Sequence, residues 1–394
     1  MTARPVLVHV TTTDISLELL LGPQLRAFRD AGFDVVGVSA PGPFTAALEA
    51  DGIRHVPLRH ATRSMALHHD VAALGELVRV FRDLAPSIVH THNPKPGVYG
   101  RIAARLARVP VVVNTVHGLY ATPDDPWKKR AVVYSLERIA AAASDAELLQ
   151  NSEDVPVLRS LRVPASRIRV LGNGVDLGRF DHRSVDPDSA RRLRAEIGVH
   201  DDEIAVGVVG RLVWEKGYRE VFEAARQLAD TSAKVRFVVV GPTDFDKADA
   251  ITSDDIAAAE AIGNVTFLGH RSDVEALYGA FDIYVLASYR EGFPRSAMEA
   301  AAMGLPIVAT DIRGCRQVVD RERTGLLVPV RDPAALASAI DRLARDADTR
   351  SEMSIAAVAK AHAEFDQHRV IDITLDTYRR LLEDHGIAVP ARVA

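Results

Sequence analysis

Short apolar runs alternate with longer amphipathic stretches along almost the entire chain. This alternation predicts βαβ units, and therefore an α/β protein whose parallel sheets are covered by helices. In the first half the predicted strands are Val6–Val10, Asp34–Ser39, Ile88–His90, Val111–Thr115 and Ala146–Gln150. In the second half they are Ala205–Val209, Val235–Val240, Asn264–Leu268, Ile283–Leu286, Ile307–Thr310 and Gly325–Val328.

The length of 394 residues is too great for one ordinary hydrophobic core, and the pattern of strand, turn and helix restarts in the second half. We therefore predict two similar Rossmann-like domains. Between residues 173 and 188, glycine, aspartate, histidine and proline collect and the periodicity is lost. This segment is the predicted junction, which assigns 1–185 to an N-terminal domain and 186–369 to a C-terminal domain.

The composition excludes several classes of protein. The 48 basic and 53 acidic side chains give a net charge of −5, unlike an ordinary basic nucleic-acid-binding protein. Cys315 is the only cysteine, which excludes an internal disulfide and a cysteine-cluster metal site and fits a reducing cytoplasm. The first apolar run is shorter than a signal-peptide core, and no apolar stretch approaches the roughly twenty residues of a membrane span. We therefore expect a cytoplasmic protein that can at most lie on a membrane surface.

Two carboxylates bound the segment Glu291-Gly-Phe-Pro-Arg-Ser-Ala-Met-Glu299, which follows the predicted strand Ile283–Leu286. The first acid comes after the carboxyl end of a strand, where open α/β sheets bind ligands. The loop offers backbone N–H groups at the start of a helix, which favour phosphate. A second acid in the first helical turn can accept hydrogen bonds from a ribose diol. The segment resembles the E-x7-E signature of retaining glycosyltransferases, family 4 in particular.

This resemblance, which is strongest from residue 205 to residue 330, implies the GT-B fold, in which two Rossmann-like domains with parallel sheets face a central cleft. In that fold the last helix returns to the N-terminal domain, and residues 370–394 match it approximately. The resemblance also implies that Glu291 binds the donor sugar and that Glu299 binds the ribose. The loop residues that it places in the donor site are Gly292, Phe293, Pro294, Arg295 and Ser296.

A second charged segment, Gly210-Arg-Leu-Val-Trp-Glu-Lys216, follows the predicted strand Ala205–Val209. The guanidinium of Arg211 is a planar set of donors and the ammonium of Lys216 is a mobile point charge, and both suit a diphosphate. Two solvated charges at a helix start are the alternative. In family 4 the matching Arg and Lys bind the donor pyrophosphate and stabilise the leaving group, so the resemblance implies a catalytic role for both residues and a donor-side position for Gly210.

The segment Val113-Asn-Thr-Val-His-Gly118 ends a strand with a histidine and a glycine. The resemblance implies that His117 faces the donor sugar from across the cleft. There its neutral imidazole, or the backbone carbonyl that follows it, could stabilise an oxocarbenium-like transition state. A purely structural histidine is the alternative.

The run His90-Thr-His-Asn-Pro-Lys-Pro-Gly97 is similar to the acceptor-side loop of bacterial surface-polysaccharide glycosyltransferases. This implies that His92 and Lys95 lie on the acceptor side, where Lys95 could meet a lipid pyrophosphate. The His-x-His spacing also suits zinc, but the sequence shows no third ligand nearby, and a buried turn is equally compatible. Thr13 belongs to the predicted first loop, Thr11–Asp14, which lacks the glycine pair of many family members.

The strand that ends at Leu268 matches the place where the family's backbone meets the nucleobase, and His270 and Arg271 either rim the base or lie exposed. Pairs of the form Asp-x-Asp begin at residues 186, 244 and 346, but none clearly ends a strand as a divalent-metal site would require. We therefore expect no metal and no cofactor, and a nucleoside-diphosphate sugar as co-substrate.

The sequence thus predicts a retaining, metal-independent glycosyltransferase of the hexosyltransferase class. Its donor would be a UDP-sugar, and its acceptor a hydroxyl, such as that of a lipid-linked glycan in polysaccharide synthesis. A UDP-sugar 2-epimerase of the same fold and a non-catalytic subunit of a polysaccharide assembly complex are the rivals. Basic residues among apolar ones between 55 and 84, including Arg59, Arg63 and Arg79, predict either a membrane-surface helix or ordinary helix packing.

Overall fold

The computed structural model describes residues 4–60, 67–92, 95–121, 125–229, 233–244, 247 and 249–390. They form two compact units. Unit 1 contains the chain up to Gly172 and again from His368, and unit 2 contains Asn173–Gln367. Residues 173–185, which the sequence assigned to the first domain, belong to unit 2, because Val175 pairs with Asp366 and Phe180 lies in the core of that unit.

The strands are β1 (Val6–Thr13), β2 (Asp34–Ala40), β3 (Arg54–Pro57), β4 (Ile88–His92), β5 (Val111–Val116), β6 (Ala146–Leu149), β7 (Ile168–Val170), β8 (Ile204–Val209), β9 (Val235–Val240), β10 (Val265–Gly269), β11 (Ile283–Leu286), β12 (Ile307–Thr310) and β13 (Gly325–Val328). The helices are α1 (Gly22–Asp30), α2 (Thr45–Ala50), α3 (Leu67–Leu84), α4 (Lys95–Leu106), α5 (Trp127–Ala141), α6 (Val155–Ser160), α7 (Pro187–Glu196), α8 (Tyr218–Leu228), α9 (Ser253–Glu260), α10 (Val274–Ala280), α11 (Arg295–Ala302), α12 (Arg313–Val318), α13 (Pro333–Arg345), α14 (Ala347–Glu364) and α15 (Gln367–Asp384).

The sheet of unit 1 has the strand order β3-β2-β1-β4-β5-β6-β7, and its pairings are parallel. The chain order reverses between β1 and β4, where the register places His9 opposite His90. The strands β3 and β7 were missed by the sequence because they are short edge strands without a continuous apolar run. Thr11–Thr13, predicted as a loop, instead complete β1, and a π-helical turn over Ser16–Leu20 leads into α1.

The C-terminal helix α15 packs on the sheet of unit 1. One face of the helix is buried in the core that also contains apolar residues of β1, α1 and β5. Its phenol, Tyr378, is fully buried and meets the ring of Phe28 edge-on at a centroid distance of 5.4 Å. The last helix therefore supplies part of the interior of the unit that contains the N-terminus.

The opposite face of the same sheet contains a buried ionic network. Arg101 is fully buried and donates to Glu147 at 2.7 Å and to Glu137 at 2.8 Å. The amide of Asn114 donates to the second oxygen of Glu147, and Thr91 donates to the amide oxygen of Asn114. Because side chains alternate along a strand, this network fixes β4, β5 and β6 from one face while the histidines of β4 occupy the other.

The sheet of unit 2 has the order β10-β9-β8-β11-β12-β13, again with parallel pairings. The chain order reverses between β8 and β11. Among the strands predicted for this unit, β9, β11, β12 and β13 have the predicted bounds, β8 starts one residue earlier and β10 is shifted by one residue. Two Rossmann-like units with parallel sheets confirm the predicted α/β class.

The predicted basic helix corresponds to α3, whose Ala73, Leu77 and Phe81 are buried in the core of unit 1, as ordinary packing requires. Arg63 lies outside the described residues. Among the helices that the structure describes, none combines the length and the apolar content needed to cross a bilayer.

Candidate active site

An ion pair lies at the strand reversal of unit 2. Lys216 ends a 3-10 turn between β8 and α8, and Glu291 follows β11, the strand that pairs with β8. Ligands bind outside the carboxyl ends of strands where the order reverses. The structure brings the two predicted residues together: Lys216 Nζ donates to Glu291 Oε1 at 2.5 Å, and Ser288 Oγ donates to the same oxygen at 2.7 Å.

Two glycines permit the close backbone approach around this pair. Gly217 has φ +77°, in the left-handed region, and a Cβ there would lie 2.0 Å from the carbonyl oxygen of Ala287. A Cβ on Gly314, at the start of α12, would lie 2.5 Å from the carbonyl oxygen of Glu291. Any larger residue at either position would push the two strand ends apart.

Arg211, the other predicted phosphate ligand, is more exposed than Lys216. Its guanidinium donates to Asp244 Oδ2 at 2.5 Å and lies 3.9 Å from Glu215. Both predicted phosphate-binding cations therefore have carboxylate partners in the structure.

The loop after Glu291 is held by two buried tyrosines. Pro294 is the N-cap of α11, and Gly292 and Phe293 form the bend before it. Tyr284 donates its hydroxyl hydrogen to Ser296 Oγ at 2.7 Å, and Tyr278 donates to the Ser296 carbonyl at 3.0 Å. The first turn of α11 is thus fixed relative to the sheet.

Glu299 lies deeper in α11 than the sequence predicted. The helix begins at Arg295, so Glu299 is its fifth residue and lies in the second turn, because the residues between Glu291 and Pro294 are not helical. Tyr278 donates to Glu299 Oε2 at 3.2 Å, and Arg295 lies 3.8 Å from the other oxygen. Burial raises the pKa of Glu299, and Arg295 opposes that shift.

The other predicted donor-side residues have structural contacts within unit 2. Phe293 meets Phe365 edge-on at 5.9 Å, and its carbonyl accepts a hydrogen bond from Asn173. The carbonyl of Gly210 accepts a hydrogen bond from Tyr218 at 3.1 Å. Leu268 packs against the core.

The two residues that could rim the nucleobase have different environments. His270 is exposed. Arg271 forms ion pairs with Glu196 and Asp273.

Two of the three Asp-x-Asp pairs have a structural explanation. Asp186 caps α7 by accepting from the N–H of Ser189 at 3.0 Å, and Asp346 caps α14 through Thr349 in the same way. Asp244 pairs with Arg211, and Asp246 lies outside the described residues.

The predicted acceptor-side residues lie at the carboxyl ends of β1 and β4. Thr13 is the last residue of β1, with Oγ1 3.3 Å from Ser16 Oγ. Lys95 is the first residue of α4 and forms an ion pair with Asp70 at 2.6 Å. The two residues that precede Lys95, Asn93 and Pro94, lie outside the described residues.

His92 is buried in a cluster of imidazoles rather than exposed to an acceptor. Its Nδ1 lies 2.9 Å from His117 Nε2, and its Nε2 lies 3.0 Å from His9 Nδ1. The sequence showed no third ligand near His90 and His92. That interpretation was wrong, because the parallel register of β1 and β4 brings His9 within 4.8 Å of both.

The cluster continues to the C-terminal helix. The hydroxyl of Tyr378 lies 3.4 Å from His9 Nε2 and forms a short hydrogen bond with His90 Nδ1. The other ring nitrogen of His90 lies 2.7 Å from Thr115 Oγ1. The structure therefore links four histidines and a tyrosine in one hydrogen-bonded chain.

Burial keeps these imidazoles neutral. It lowers the pKa of His9 to about 3 and that of His117 to about 4, the latter opposed by a hydrogen bond to Gln150. The pKa values of His90 and His92 are also well below the ordinary value, because of burial and then of the neighbouring histidines. His117 is thus neutral at pH 7.

His9 and Tyr378 were missed by the sequence reasoning. The signal for His9 was available, because a polar residue stands inside the apolar strand β1, and β1 and β4 are neighbours in a doubly wound sheet. Tyr378 gave no such signal, since a tyrosine on an amphipathic helix is ordinarily a core residue.

Comparison with known proteins identifies the family. Residues 24–179 match the model described as Glycosyltransferase Family 4, and residues 189–360 match Glycosyl transferases group 1. A UDP-Gal:alpha-D-GlcNAc-diphosphoundecaprenol alpha-1,3-galactosyltransferase of Escherichia coli is 31% identical over 309 residues, which cover 77% of this chain and 78% of that protein. The chain belongs to glycosyltransferase family 4.

This glycosyltransferase is also similar to the capsular polysaccharide biosynthesis glycosyltransferase CapM of Staphylococcus aureus, with 27% identity over 87% of this chain and 88% of CapM. Its fold matches the crystal structure of Anabaena Alr3699/HepE in complex with UDP at a TM-score of 0.79 and 21% identity, over 95% of this chain and 100% of that one. The GT-B fold, the glycosyltransferase assignment and the relationship to polysaccharide biosynthesis enzymes that the sequence predicted are confirmed.

We predict that acid destabilises unit 1 of this glycosyltransferase through its neutral histidines. An unfolded histidine binds a proton near pH 6.5, whereas folded His9 does not do so until about pH 3. Stability should therefore fall as the pH is lowered through this window, by about 2 kcal/mol per such histidine between pH 7 and pH 5. Denaturant unfolding at pH 5 to 8 measures this dependence.

The variant His9→Phe is the matched comparison, because phenylalanine keeps an aromatic ring against Phe28 but binds no proton. Its stability should depend less steeply on pH than that of the wild type. Equal slopes would show that His9 is not neutral in the folded protein.

Proposed function

We propose that this glycosyltransferase transfers a sugar from UDP to a hydroxyl of a lipid-linked glycan, with retention of configuration and without a metal ion. The observation that carries the proposal is the Lys216–Glu291 ion pair at the strand reversal of unit 2. It joins a cation suited to phosphate and an anion suited to sugar hydroxyls at the position where such sheets bind ligands.

Binding of the donor would divide this ion pair. Lys216 would turn to the diphosphate together with Arg211, and the first turn of α11 would add backbone N–H groups. When Lys216 leaves, Glu291 Oε1 can accept a hydrogen bond from a sugar hydroxyl in its place. The hydroxyl of Ser288 would remain hydrogen-bonded to the same oxygen. The buried carboxyl of Glu299 would accept the ribose hydroxyls.

The proposed reaction needs electrostatic stabilisation rather than a dedicated protein base. The bond between the anomeric carbon and the diphosphate oxygen breaks, and the acceptor oxygen forms its bond on the same face. The acceptor proton passes to the departing phosphate oxygen. Arg211 and Lys216 stabilise the negative charge that develops on the leaving diphosphate. Such electrostatic stabilisation of the transition state is usually the largest single contribution to catalysis.

His117 would act through its backbone rather than its ring. Its Nε2 is bonded to His92 and its side chain also bonds to Gln150, so the imidazole is held inside unit 1. Of the two groups that the sequence analysis considered, this favours the backbone carbonyl as the one that would act in transfer.

UDP is the proposed nucleotide because the relative from Escherichia coli is named as a UDP-Gal transferase and Alr3699/HepE was solved with UDP. The former also acts on a sugar attached to diphosphoundecaprenol, according to its name. We extend that kind of acceptor, a glycan on a lipid diphosphate, to this chain.

An exposed face of α5 supports an acceptor at a membrane. Its apolar side chains have exposed fractions of 43% to 70%: Trp127, Val132, Leu136 and Ile139. Lys128 and Arg138 lie on the same exposed face, and Lys128 is stacked over the Trp127 ring. An apolar face bordered by basic residues suits anionic lipid, so we propose that α5, rather than α3, contacts the membrane.

The proposal predicts different effects when each member of the ion pair is substituted. Lys216→Met should lower turnover by about two orders of magnitude or more and weaken UDP binding, because it removes a phosphate ligand. Glu291→Gln should lower turnover to a similar extent but bind UDP at least as tightly as the wild type, because Lys216 loses its competing carboxylate. Turnover assays and calorimetric titration with UDP measure both effects.

Lys234→Met is the control, since Lys234 forms an exposed ion pair with Asp202 elsewhere in unit 2 and should change neither quantity. The assignment is refuted if Lys216→Met and Glu291→Gln both retain near-wild-type turnover.

Metal independence gives a second prediction. Turnover with a UDP-sugar should remain within about twofold of its initial value after chelation with EDTA and after addition of Mg²⁺ or Mn²⁺, because Arg211, Lys216 and α11 supply the positive charge. A loss of activity that only a divalent cation restores would contradict this prediction.

The α5 face gives a third prediction. The double variant Val132→Glu, Ile139→Glu should bind phosphatidylglycerol vesicles at least about fivefold more weakly, and should transfer sugar less well to a long-chain lipid diphosphate acceptor. Transfer to a short-chain, water-soluble acceptor should be unaffected. Sedimentation and turnover assays measure these effects, with Ile355→Glu, an equally exposed position on α14, as the control. Equal vesicle binding by all three proteins would remove α5 from the proposal.

A further inference from the structure

The histidines of unit 1 form an ordered chain of hydrogen bonds. From one end to the other it runs through Thr115, His90, Tyr378, His9, His92 and His117. His9, His90 and Tyr378 are almost fully buried, and His92 has only 3% of its surface exposed. The proposed function uses only the last residue, His117, and leaves the rest of the chain without a role.

The geometry argues against a metal centre at His9, His90 and His92. Each of their six ring nitrogens has a hydrogen-bonding partner. The rings of His90 and His92 are stacked, with centroids 4.5 Å apart and planes inclined by 23°. Lone pairs lie in the ring planes, so those of nearly parallel rings do not converge on one ion at the roughly 2.0 Å that zinc requires.

The chemistry of a neutral imidazole makes the chain cooperative. Each ring has one N–H donor and one bare nitrogen acceptor, so the direction of one hydrogen bond dictates the direction of the next. In one arrangement the Nδ1–H of His9 donates to His92, and the Nδ1–H of His92 donates to His117. In the other arrangement every hydrogen bond is reversed and each ring carries its hydrogen on Nε2. A mixture within the chain would place two donors, or two acceptors, against one another.

Tyr378 joins the two halves of this chain. A hydroxyl can donate one hydrogen bond and accept another at the same time, so it passes the direction between His90 and His9. It is also the contribution of α15, which is the last helix of the chain. The rings of His9 and His92 link this hydroxyl to His117. Gly118, the residue after His117, has φ +113°, in the left-handed region.

We propose that Tyr378 is a positioning residue for sugar transfer: through His9 and His92 it fixes the tautomer of His117 and, with it, the hydrogen bonds that hold that ring. The proposal rests on the proposed function in that His117 takes part in transfer. It adds a role for the C-terminal helix α15, which supplies the hydroxyl of Tyr378.

The variant Tyr378→Phe tests the proposal, because it removes the hydroxyl and keeps the ring. Proton–nitrogen correlation spectra of protein with 15N-labelled histidine report the tautomer of each ring, and single histidine substitutions assign the signals. In the wild type, His9, His92 and His117 should each show one tautomer of the same kind. In the variant, the His117 nitrogens should shift to values averaged between the two tautomers.

Tyr99→Phe is the matched control. The Tyr99 ring is buried in the same unit, and its hydroxyl has no hydrogen-bonding partner among the residues that the structure describes. The Tyr99→Phe variant should have the same His117 spectrum and the same turnover as the wild type. An unaltered His117 tautomer in Tyr378→Phe would overturn the proposal.

Kinetics supplies the second measurement. Tyr378→Phe should lower kcat about tenfold while KM for the UDP-sugar changes less than twofold, because the donor site is formed by unit 2. A changed tautomer with wild-type kcat would show that the chain does not position the reaction, which also overturns the proposal. Failure of the Lys216 and Glu291 variants to affect turnover would instead refute the proposed function, and the spectra would be unaffected.

Two further experiments address an unfolded Tyr378→Phe variant and a zinc site at the histidines. If Tyr378→Phe does not fold, Thr115→Val removes the hydroxyl at the other end of the chain with almost no change of shape, and the tautomers of His90, His9 and His117 should become mixed. If the purified protein contains stoichiometric zinc that is lost in His9→Gln, the cluster is a metal site and the proposal is wrong.

Discussion

The ion pair between Lys216 and Glu291 is the interaction on which the proposed donor site of this glycosyltransferase depends. It joins the ends of β8 and β11, the two strands between which the order of the sheet reverses. Glycines at positions 217 and 314 allow the close backbone approach beside it, since a Cβ at either position would meet backbone atoms. This one contact therefore depends on the local sequence and on the sheet topology, and the proposed chemistry depends on it.

The two units use the same architecture for different electrostatic purposes. In unit 2 the strand reversal bears two opposite charges, Lys216 and Glu291. In unit 1 the corresponding reversal, between β1 and β4, bears imidazoles that burial keeps neutral. Charged groups suit the binding of an anion, whereas neutral donors and acceptors suit a fixed arrangement that does not respond to the charge of the substrate.

Much of the fold could be predicted from the sequence because interior parallel strands are continuous apolar runs, as in β11 and β12. The edge strands β3 and β7 lacked that signal. In the candidate site, Lys216 and Glu291 could be found from local motifs. The turn of α11 that carries Glu299 could not, because it depends on where the loop before the helix ends.

The histidine chain shows a different limit of sequence reasoning. His9 and His90 are 81 positions apart, and Tyr378 lies 288 positions beyond His90, so only the register of the sheet and the return of α15 bring them together. The His-x-His spacing was visible, but its partners were not.

The return of α15 also has a consequence for biosynthesis. Unit 1 includes the first strand, β1, yet part of its interior, including the phenol between His9 and His90, belongs to α15 and is synthesised after unit 2. Domains generally fold as units during synthesis. Here the nascent first unit exposes an apolar sheet face until α15 has been made, and the second unit, which ends before His368, can complete its folding before the first.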